Sequence, residues 1–387
     1  MNHTGGIFAV DRVSDSARIR PNGRRRRGFI LIAFSLALLF ILGVAGLAFD
    51  IGRMYCARSE AQAFVDSAAL AGAERMNGTK AGLYEAIAAA TSSPDERKRW
   101  QFSTESFTDI TVQFSKFARS GFVDVAAVPD PPTGYRFIRV ETRVDVGLTL
   151  LRPLTNAVSS RVAAAAVAGQ IKRDTFSDGV FPFSPMAPNV NAVEGDMSTW
   201  GFIPGELYTL QWASVPQLDH PKTMCAGDMN QSMIDRFLVD KNNRGFIVNG
   251  ASAAEIAEVI VNGTEDYPIS EGDSLMTTGT KESETKYVAE RSDRDADPET
   301  DFWSYLDGPE TLRPKSGNGL RLVIVPVNSG PPDRKVLGFA RFLLQPPSDY
   351  KQGGNRPMCA WYVGAGIFGG SGRPVEENGL YVIALVR

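Results

Sequence analysis

The sequence predicts an α+β protein, in which a single N-terminal transmembrane helix extends into a helix packed on an antiparallel sheet and a mainly β domain follows. Three observations predict this fold class. Residues 29–49 form an uncharged apolar run, residues 109–146 contain alternating apolar and polar segments, and short apolar runs separated by proline and glycine follow residue 175. These patterns are typical of a membrane span, of half-buried strands and of a β region with frequent turns.

The apolar run begins at Phe29 and ends at Phe49, and four arginines at positions 24–27 precede it. At about 1.5 Å per residue, a helix of this length crosses the roughly 30 Å hydrocarbon core of a bilayer. The positive-inside rule then predicts a single-pass protein with a cytoplasmic N-terminus and an extracytoplasmic remainder. A twin-arginine export signal is the alternative, but the run is longer than the roughly 7–15 apolar residues of a signal, which favours an uncleaved anchor.

The net charge of −3 conceals an asymmetry between the two ends of the chain. Residues 1–27 carry seven arginines and two aspartates, a net charge of +5, so the remainder carries −8. An acidic body argues against a nucleic-acid-binding protein. The chain has only two histidines and three cysteines, with no CxxC pair, which argues against multi-histidine and zinc centres.

The helical pattern continues past Asp50, where small residues such as Ala57, Ala61 and Ala68 form a low ridge that lets another backbone approach closely. Asn77 and Gly78 then end this helix, and a second helix is expected from residue 80 to about residue 90. The pattern therefore predicts a helix that leaves the membrane and lies on a sheet.

The strands of that sheet are expected at 109–114, 122–128 and 135–146. Residues 148–154 form an apolar run interrupted by a proline, and residues 160–171 fit either a strand or a helix. One long helix followed by antiparallel strands is a pilin-like arrangement, although any α+β layer pair would show the same pattern.

The mainly β region is expected to contain an amphipathic helix at 253–261 and strands at 206–212, 319–327, 335–344, 358–367 and 379–386. The chain therefore divides into four predicted segments, which are a cytoplasmic tail (1–27), a transmembrane helix (28–51), a pilin-like helix and antiparallel sheet (52–174) and a mainly β extracytoplasmic domain (175–387).

A more specific pattern lies in the N-terminal segment. The arginine-rich flank, the apolar run and Asp50 are followed by the motif Asp66-Ser67-Ala68-Ala69-Leu70-Ala71-Gly72-Ala73. This segment resembles TadE/TadG-like proteins of the bacterial tight-adherence (Flp) pilus assembly machinery, which typically carry such a small-residue motif after the membrane helix. Processed pseudopilins have a glutamate at the fifth position counted from the cleaved glycine, whereas Ala33 stands there in this chain when Gly28 is taken as that glycine. The resemblance therefore favours the unprocessed, TadG-like type.

The resemblance implies a non-enzymatic, membrane-anchored component or accessory of Tad/Flp pilus assembly in the bacterial inner membrane. Its partners would be the lipid bilayer and other pilus-assembly or envelope proteins, with no nucleic acid, small-molecule substrate or cofactor. The alternative is a tethered envelope hydrolase of unknown type, which the scarcity of histidine and the lack of a nucleophile motif disfavour.

Two short stretches contain residue types that are found in catalytic or metal sites. Cys225 could act as a nucleophile with His220 as its base and Asp219 beside it. No protease or hydrolase motif accompanies these residues. Alternating carboxylates at 293–301 could hold Ca²⁺, but the EF-hand glycine and terminal glutamate are missing and two nearby arginines dilute the charge, so a solvated acidic loop is favoured.

The sequence also predicts a disulfide between Cys225 and Cys359. Both cysteines lie in loop-like contexts of the region that is placed in an oxidising compartment, where paired cysteines persist. Two unpaired, buried thiols are the alternative.

Overall fold

The computed structural model describes residues 24–91, 99–100, 105–107, 109–152, 156–177, 179–191, 199–218, 222–247, 253–262, 268–278, 282–295, 297, 299–308, 312, 314–351, 356–367, 375 and 379–386. The described residues fall into two compact units. The first comprises those within Met1–Tyr55 and Asp145–Ser160, and the second those within Cys56–Val144 and Arg161–Arg387.

The described helices are α1 (Arg24–Arg75), α2 (Lys80–Thr91), α3 (Gln231–Leu238), α4 (Ala253–Asn262), α5 (Glu282–Asp293), α6 (Phe302–Tyr305) and α7 (Pro347–Tyr350). The described strands are β1 (Arg99–Trp100), β2 (Glu105–Ser106), β3 (Asp109–Ser115), β4 (Phe137–Gly147), β5 (Ser159–Arg173), β6 (Thr175–Phe176), β7 (Leu207–Gln211), β8 (Phe246–Ile247), β9 (Ile269–Ser270), β10 (Thr277–Thr278), β11 (Leu322–Asn328), β12 (Val336–Leu344), β13 (Met358–Gly364), β14 (Gly366–Ile367) and β15 (Leu380–Leu385). The predicted α+β class is confirmed: a long apolar N-terminal helix is followed by a mainly β region with antiparallel sheets.

Helix α1 runs for 52 residues without a break. Its apolar part is long and hydrophobic enough to cross a membrane, with a mean hydropathy of 2.8, and only 6% of that stretch is buried by the protein itself. By length and composition this fits a single-pass anchor, and a signal sequence would meet the same test. In the second unit only one face of the same helix is buried, as Ala61, Val65 and Ala69, spaced four residues apart, are fully buried.

The sheet beside this part of α1 has the strand order β14-β15-β5-β4-β3. Strands β3 and β4 pair antiparallel from Asp109 opposite Arg143 to Ser115 opposite Phe137. Both strands lie where the alternating pattern predicts them, and the ambiguous segment 160–171 is part of strand β5.

The prediction of a strand at 122–128 is wrong. Val123 forms a single bridge to Phe114, and a 3-10 turn covers Val125–Ala127. The side-chain amine of Lys80 donates to the carbonyl oxygens of Val125 and Val128. These carbonyls are therefore satisfied by a side chain from α2 instead of a neighbouring strand, which the local pattern does not reveal.

The last strand of the chain belongs to this first sheet. Strand β15 pairs antiparallel with β5, from Leu380 opposite Arg173 to Leu385 opposite Ala168. The predicted segment boundary between residues 174 and 175 places residues 380–385 in the β region. In the structure these residues extend the sheet that packs on α1. The β region is thus inserted between two neighbouring strands of one sheet.

Two contacts fix the end of α1 on this sheet. Gln170 of β5 is fully buried, and its Nε2 donates to the carbonyl oxygens of Ala73 (3.0 Å) and Met76 (2.7 Å) at the end of the helix. A Cβ atom at Gly72 would lie 2.5 Å from Cδ1 of Ile138, so this position has room only for glycine unless the strand side chain moves. Helix and sheet therefore approach more closely than larger side chains would allow.

The β region is built around the antiparallel sheet β11-β12-β13-β7. Phe342 and Leu344 of β12 pack with Ile260 of α4 and Val288 of α5 in one core, while Leu343 packs with Tyr305 in another. Both faces of β12 are covered, which explains why its sequence is apolar apart from Arg341. The predicted helix at 253–261 is α4.

Cys225 and Cys359 form a disulfide in the structure, with their Cα atoms 5.8 Å apart. The bond joins β13 to the residue that precedes the 3-10 turn Ala226–Asp228. That turn is also held by Asp228, whose Oδ2 accepts a hydrogen bond of 2.6 Å from the backbone N–H of Thr209 in β7.

Asp228 is buried, and the loss of hydration raises the pKa of its carboxyl group to about 6. The unfolded pKa of an aspartate is about 3.9, so the folded state holds its proton to higher pH than the unfolded state. The contribution of the protonated Asp228 to the free energy of unfolding is therefore fully present below about pH 4 and is lost as the pH rises through about 6.

We expect Asp228→Asn to remove this pH dependence. Relative to the wild type, the variant should gain on the order of 3 kcal/mol of unfolding free energy between pH 4 and pH 7, because only the wild type must ionise a buried carboxyl group. Urea unfolding of the detergent-solubilised full chain across this range measures it. Asp235→Asn, on the exposed face of α3, is the matched control and should show no such change. A constant difference between Asp228→Asn and wild type would contradict the prediction.

Candidate functional site

The first unit contains a carboxylate with an unusually complete set of backbone donors. Asp50 follows directly after the apolar run of α1 and is only 1% exposed. Its two carboxylate oxygens accept hydrogen bonds from the backbone N–H groups of Thr149 (3.1 Å), Leu150 (2.9 Å) and Leu151 (2.7 Å). Three consecutive amides thus point at one carboxylate, and this arrangement stabilises its negative charge.

These amides belong to the connection between β4 and β5, and we call its described residues, 148–152 and 156–158, the β4–β5 loop. One helical turn after Asp50, Nη1 of Arg53 donates to the carbonyl oxygen of Gly147 (3.0 Å) and to Oγ1 of Thr149 (2.8 Å). Asp50 and Arg53 lie three positions apart and so share a face of the helix. Together they hold the start of the loop through both its donors and its acceptors.

The loop also contacts the helix within the apolar run. A Cβ atom at Gly46 would lie 2.8 Å from Cβ of Leu150, so glycine allows the loop to touch the helix there. Gly46 and Asp50 are four positions apart, which places both contacts on the same side of α1.

The small-residue motif of the second unit serves helix packing. Ala69, Gly72 and Ala73 are buried, and Leu70 and Ala71 are half-buried. Asp66 is half-buried as well, and its Oδ1 accepts a hydrogen bond of 2.8 Å from the side-chain amide of Gln62. The motif therefore supplies a close-packing surface rather than a cluster of reactive groups.

The contacts of α1 with the β4–β5 loop and the packing of the small-residue motif both lie in a segment that matches a known protein family. Residues 28–75 match the model of the putative Flp pilus-assembly TadE/G-like family. The resemblance inferred from the sequence is confirmed for this TadE/G-like segment, which contains Gly46, Asp50, Arg53 and the small-residue motif. Searches of the curated proteins and of the solved structures gave no match to the chain.

The candidate base and nucleophile lie only partly within the described residues. Asp219 and His220 lie outside the described residues. Cys225 is bonded to Cys359, so its sulfur is not a free thiol in the structure. A thiolate is the reactive form of cysteine, and a disulfide-bonded sulfur cannot supply one.

Two described aspartates of the acidic stretch 293–301, Asp295 and Asp297, accept hydrogen bonds from protein donors. Asp295 accepts from the hydroxyl of Tyr305 and from the backbone N–H groups of Asp297 and Arg321. Asp297 in turn accepts from the hydroxyl of Ser316 at 2.7 Å. These carboxylates are thus engaged with protein donors, and no three metal-ligating side chains come together among the residues that the structure describes.

One cavity of the β region is lined by Trp212 and Arg334 together with small polar side chains such as Ser184 and Asn328. Its volume is about 20 Å³, enough for about one water molecule. The cavity therefore has the size of a hydration site and not of a substrate pocket.

Sequence reasoning marked Asp50 as a family position but missed its partners. The loop residues lie about one hundred positions further along the chain, and periodicity describes only neighbours along one element. The available signal was the apolar run at 148–154, which is not alternating and is broken by Pro153.

We expect Asp50→Asn to release the β4–β5 loop. The asparagine amide keeps one acceptor oxygen but turns the other into a donor that faces backbone N–H groups, which costs about 1–3 kcal/mol. Hydrogen exchange of the Thr149–Leu151 amides in the full chain should become about 10- to 100-fold faster.

Asp66→Asn is the matched control on the same helix, because Asp66 accepts from a side chain and not from the loop. It should leave exchange at residues 149–151 unchanged. Equal protection of these amides in wild type and Asp50→Asn would contradict the clamping role of Asp50.

Proposed function

We propose that the protein is a membrane-anchored, non-enzymatic component or accessory of Tad/Flp pilus assembly that presents an extracytoplasmic interaction domain. The observation that carries this proposal is the match of residues 28–75 to the TadE/G-like family model, on a helix whose apolar half is not covered by the protein. An uncovered apolar helix of this length is stable in a bilayer and costly in water.

The charge distribution supports an orientation with the N-terminus in the cytoplasm of a bacterium and the remainder outside the inner membrane. Arg24, Arg25, Arg26 and Arg27 flank the apolar run on one side, and cytoplasmic flanks are enriched in such residues. The acidic remainder after residue 27 carries a net charge of −8. In this orientation the β region is available to other envelope or pilus-assembly proteins.

A binding role fits the chemistry of the β region better than hydrolysis does. His220 is the only histidine that follows the apolar run in the sequence, and Cys225 is held in a disulfide. The carboxylates of Asp295 and Asp297 accept hydrogen bonds from protein donors. These groups act as structural elements, which supports an interaction domain over a tethered hydrolase.

The test of this function is deletion of the gene in its own bacterium. We expect loss of Flp pili on electron micrographs and restoration by the full chain. A version in which a cleavable export signal replaces residues 1–49 should be exported without an anchor and should not restore them, because the proposal requires tethering.

The orientation is checked in the same strain by fusions after Arg387. Alkaline phosphatase should be active there and a fluorescent protein dark, while fusions placed before Arg24 should behave in the opposite way. Normal piliation of the deletion strain would contradict the pilus role, and a cytoplasmic C-terminal fusion would contradict the orientation.

We further propose that the Cys225–Cys359 bond is formed in the native protein, as an oxidising extracytoplasmic compartment would allow. Alkylation of membrane-extracted protein without reductant should then modify only Cys56, which is exposed, whereas all three cysteines should react after reduction and unfolding. A disulfide that closes a loop of 134 residues stabilises by on the order of 4–5 kcal/mol in the chain-entropy model.

The matched control is Cys225→Ser, in which Cys359 should become reactive without reductant once the protein is unfolded. Alkylation of all three cysteines in unreduced, unfolded wild type would disprove the bond.

A further inference from the structure

We propose that the β4–β5 loop enters the lipid bilayer beside α1 and forms a second membrane contact. This inference rests on the proposed membrane anchor and goes beyond it, because it assigns a lipid-contacting role to residues outside the TadE/G-like segment. The occupant of the loop's apolar surface is thus the acyl-chain region of the membrane next to its interface.

The depth of the loop follows from its contact with the helix. Leu150 touches α1 at Gly46, three residues before the apolar run ends at Phe49. With a rise of about 1.5 Å per residue, this contact lies about 5 Å inside the end of the apolar run. If residues 29–49 span the hydrocarbon core, the Cβ atom of Leu150 lies within its outer edge.

The side chains of the loop suit this environment. Leu150 is 49% exposed and Val158 is 62% exposed, although both are apolar. Leu148 and Leu151 add two half-buried leucines. Apolar side chains left uncovered by the protein gain roughly 25 cal/mol for each Å² that is removed from water, which favours insertion.

The backbone N–H groups of residues 148–151 are hydrogen-bonded within the protein, which a lipid environment requires. Irregular backbone is costly at membrane depth unless its polar groups are paired. The N–H groups of Thr149, Leu150 and Leu151 donate to Asp50, and that of Leu148 donates to the carbonyl oxygen of Val158 at 2.9 Å. Four consecutive donors are therefore satisfied without water.

The charges next to the loop are compensated in the same way. The carboxylate of Asp50 is surrounded by backbone donors, and the guanidinium group of Arg53 donates to Gly147 and Thr149. Arg152 is exposed and has a long side chain that can reach the headgroup region. The exposed apolar side chains of the loop are thus available to lipid, while the charged groups of Asp50 and Arg53 beside it are paired with protein donors and acceptors.

The test uses environment-sensitive labels on the full chain in phospholipid vesicles. Cys56→Ser removes the exposed thiol, and Leu150→Cys is then labelled with the fluorophore NBD. We expect quenching by phospholipids brominated on their acyl chains to reach at least about half of that at a Leu42→Cys label on the apolar run, with little quenching by aqueous iodide.

A second labelled pair keeps the test independent of the Leu150 substitution. Val158→Cys lies on the loop, and Val239→Cys is the matched control, because both replace exposed valines. The label at 158 should respond to brominated lipid, and the label at 239 to iodide. Wild-type exchange protection of the Thr149–Leu151 amides verifies that the loop of each labelled variant is intact.

The outcomes separate this inference from the anchor. Lipid quenching at Leu42 with iodide quenching at both loop positions overturns the loop insertion and leaves the anchor standing. No lipid quenching at Leu42 overturns both. Loop labels shielded from lipid and from iodide alike would mean that protein covers the loop, which overturns lipid as its occupant.

Discussion

A single helix has to satisfy two different surroundings, and the rest of the structure is arranged around that requirement. Along residues 29–49, α1 is apolar on all sides and is uncovered except near Gly46, whereas after Cys56 only one of its faces is apolar and small. Because the helix is continuous, the place where one pattern changes to the other is fixed in the sequence. Asp50 stands at that place, as the first charged side chain after the apolar run.

A carboxylate at the edge of an apolar run would ordinarily require water. Here three backbone amides of the β4–β5 loop replace that water, and the loop in turn has its donors satisfied by the carboxylate. The two requirements are therefore met by one set of hydrogen bonds. Arg53 completes the arrangement by donating to acceptors of the same loop.

The elements with strong local signals could be predicted from the sequence. The apolar run, the strands β3 and β4 and the helix α4 follow from composition and periodicity. Helix α3 was missed although Asn230 is an N-cap, accepting from the N–H of Met233, and apolar residues follow at helical spacing. Its signal was present but short.

Other features have no local signal. The segment 122–128 alternates like a strand, yet its carbonyl groups at Val125 and Val128 accept from Lys80 of a distant helix. In the polar helix α5 the buried residues are Val288, Ala289 and the polar Ser292 among those whose burial is described, so its amphipathic pattern is weak. The partners of Asp50 depend on how the chain returns to α1, and a sequence pattern along one element does not contain that information.

The pairing of β15 with β5 has a consequence for biogenesis. These neighbouring strands are separated in the chain by the whole β region, so β5 keeps an unpaired edge until residues 380–385 have been synthesised. A chain truncated within the β region would keep that edge open, since it would lack the strand that pairs with β5 in the structure. Closure of this edge thus requires translation through β15, and a fragment that lacks β15 would present unpaired strand groups, which are a template for pairing with other chains.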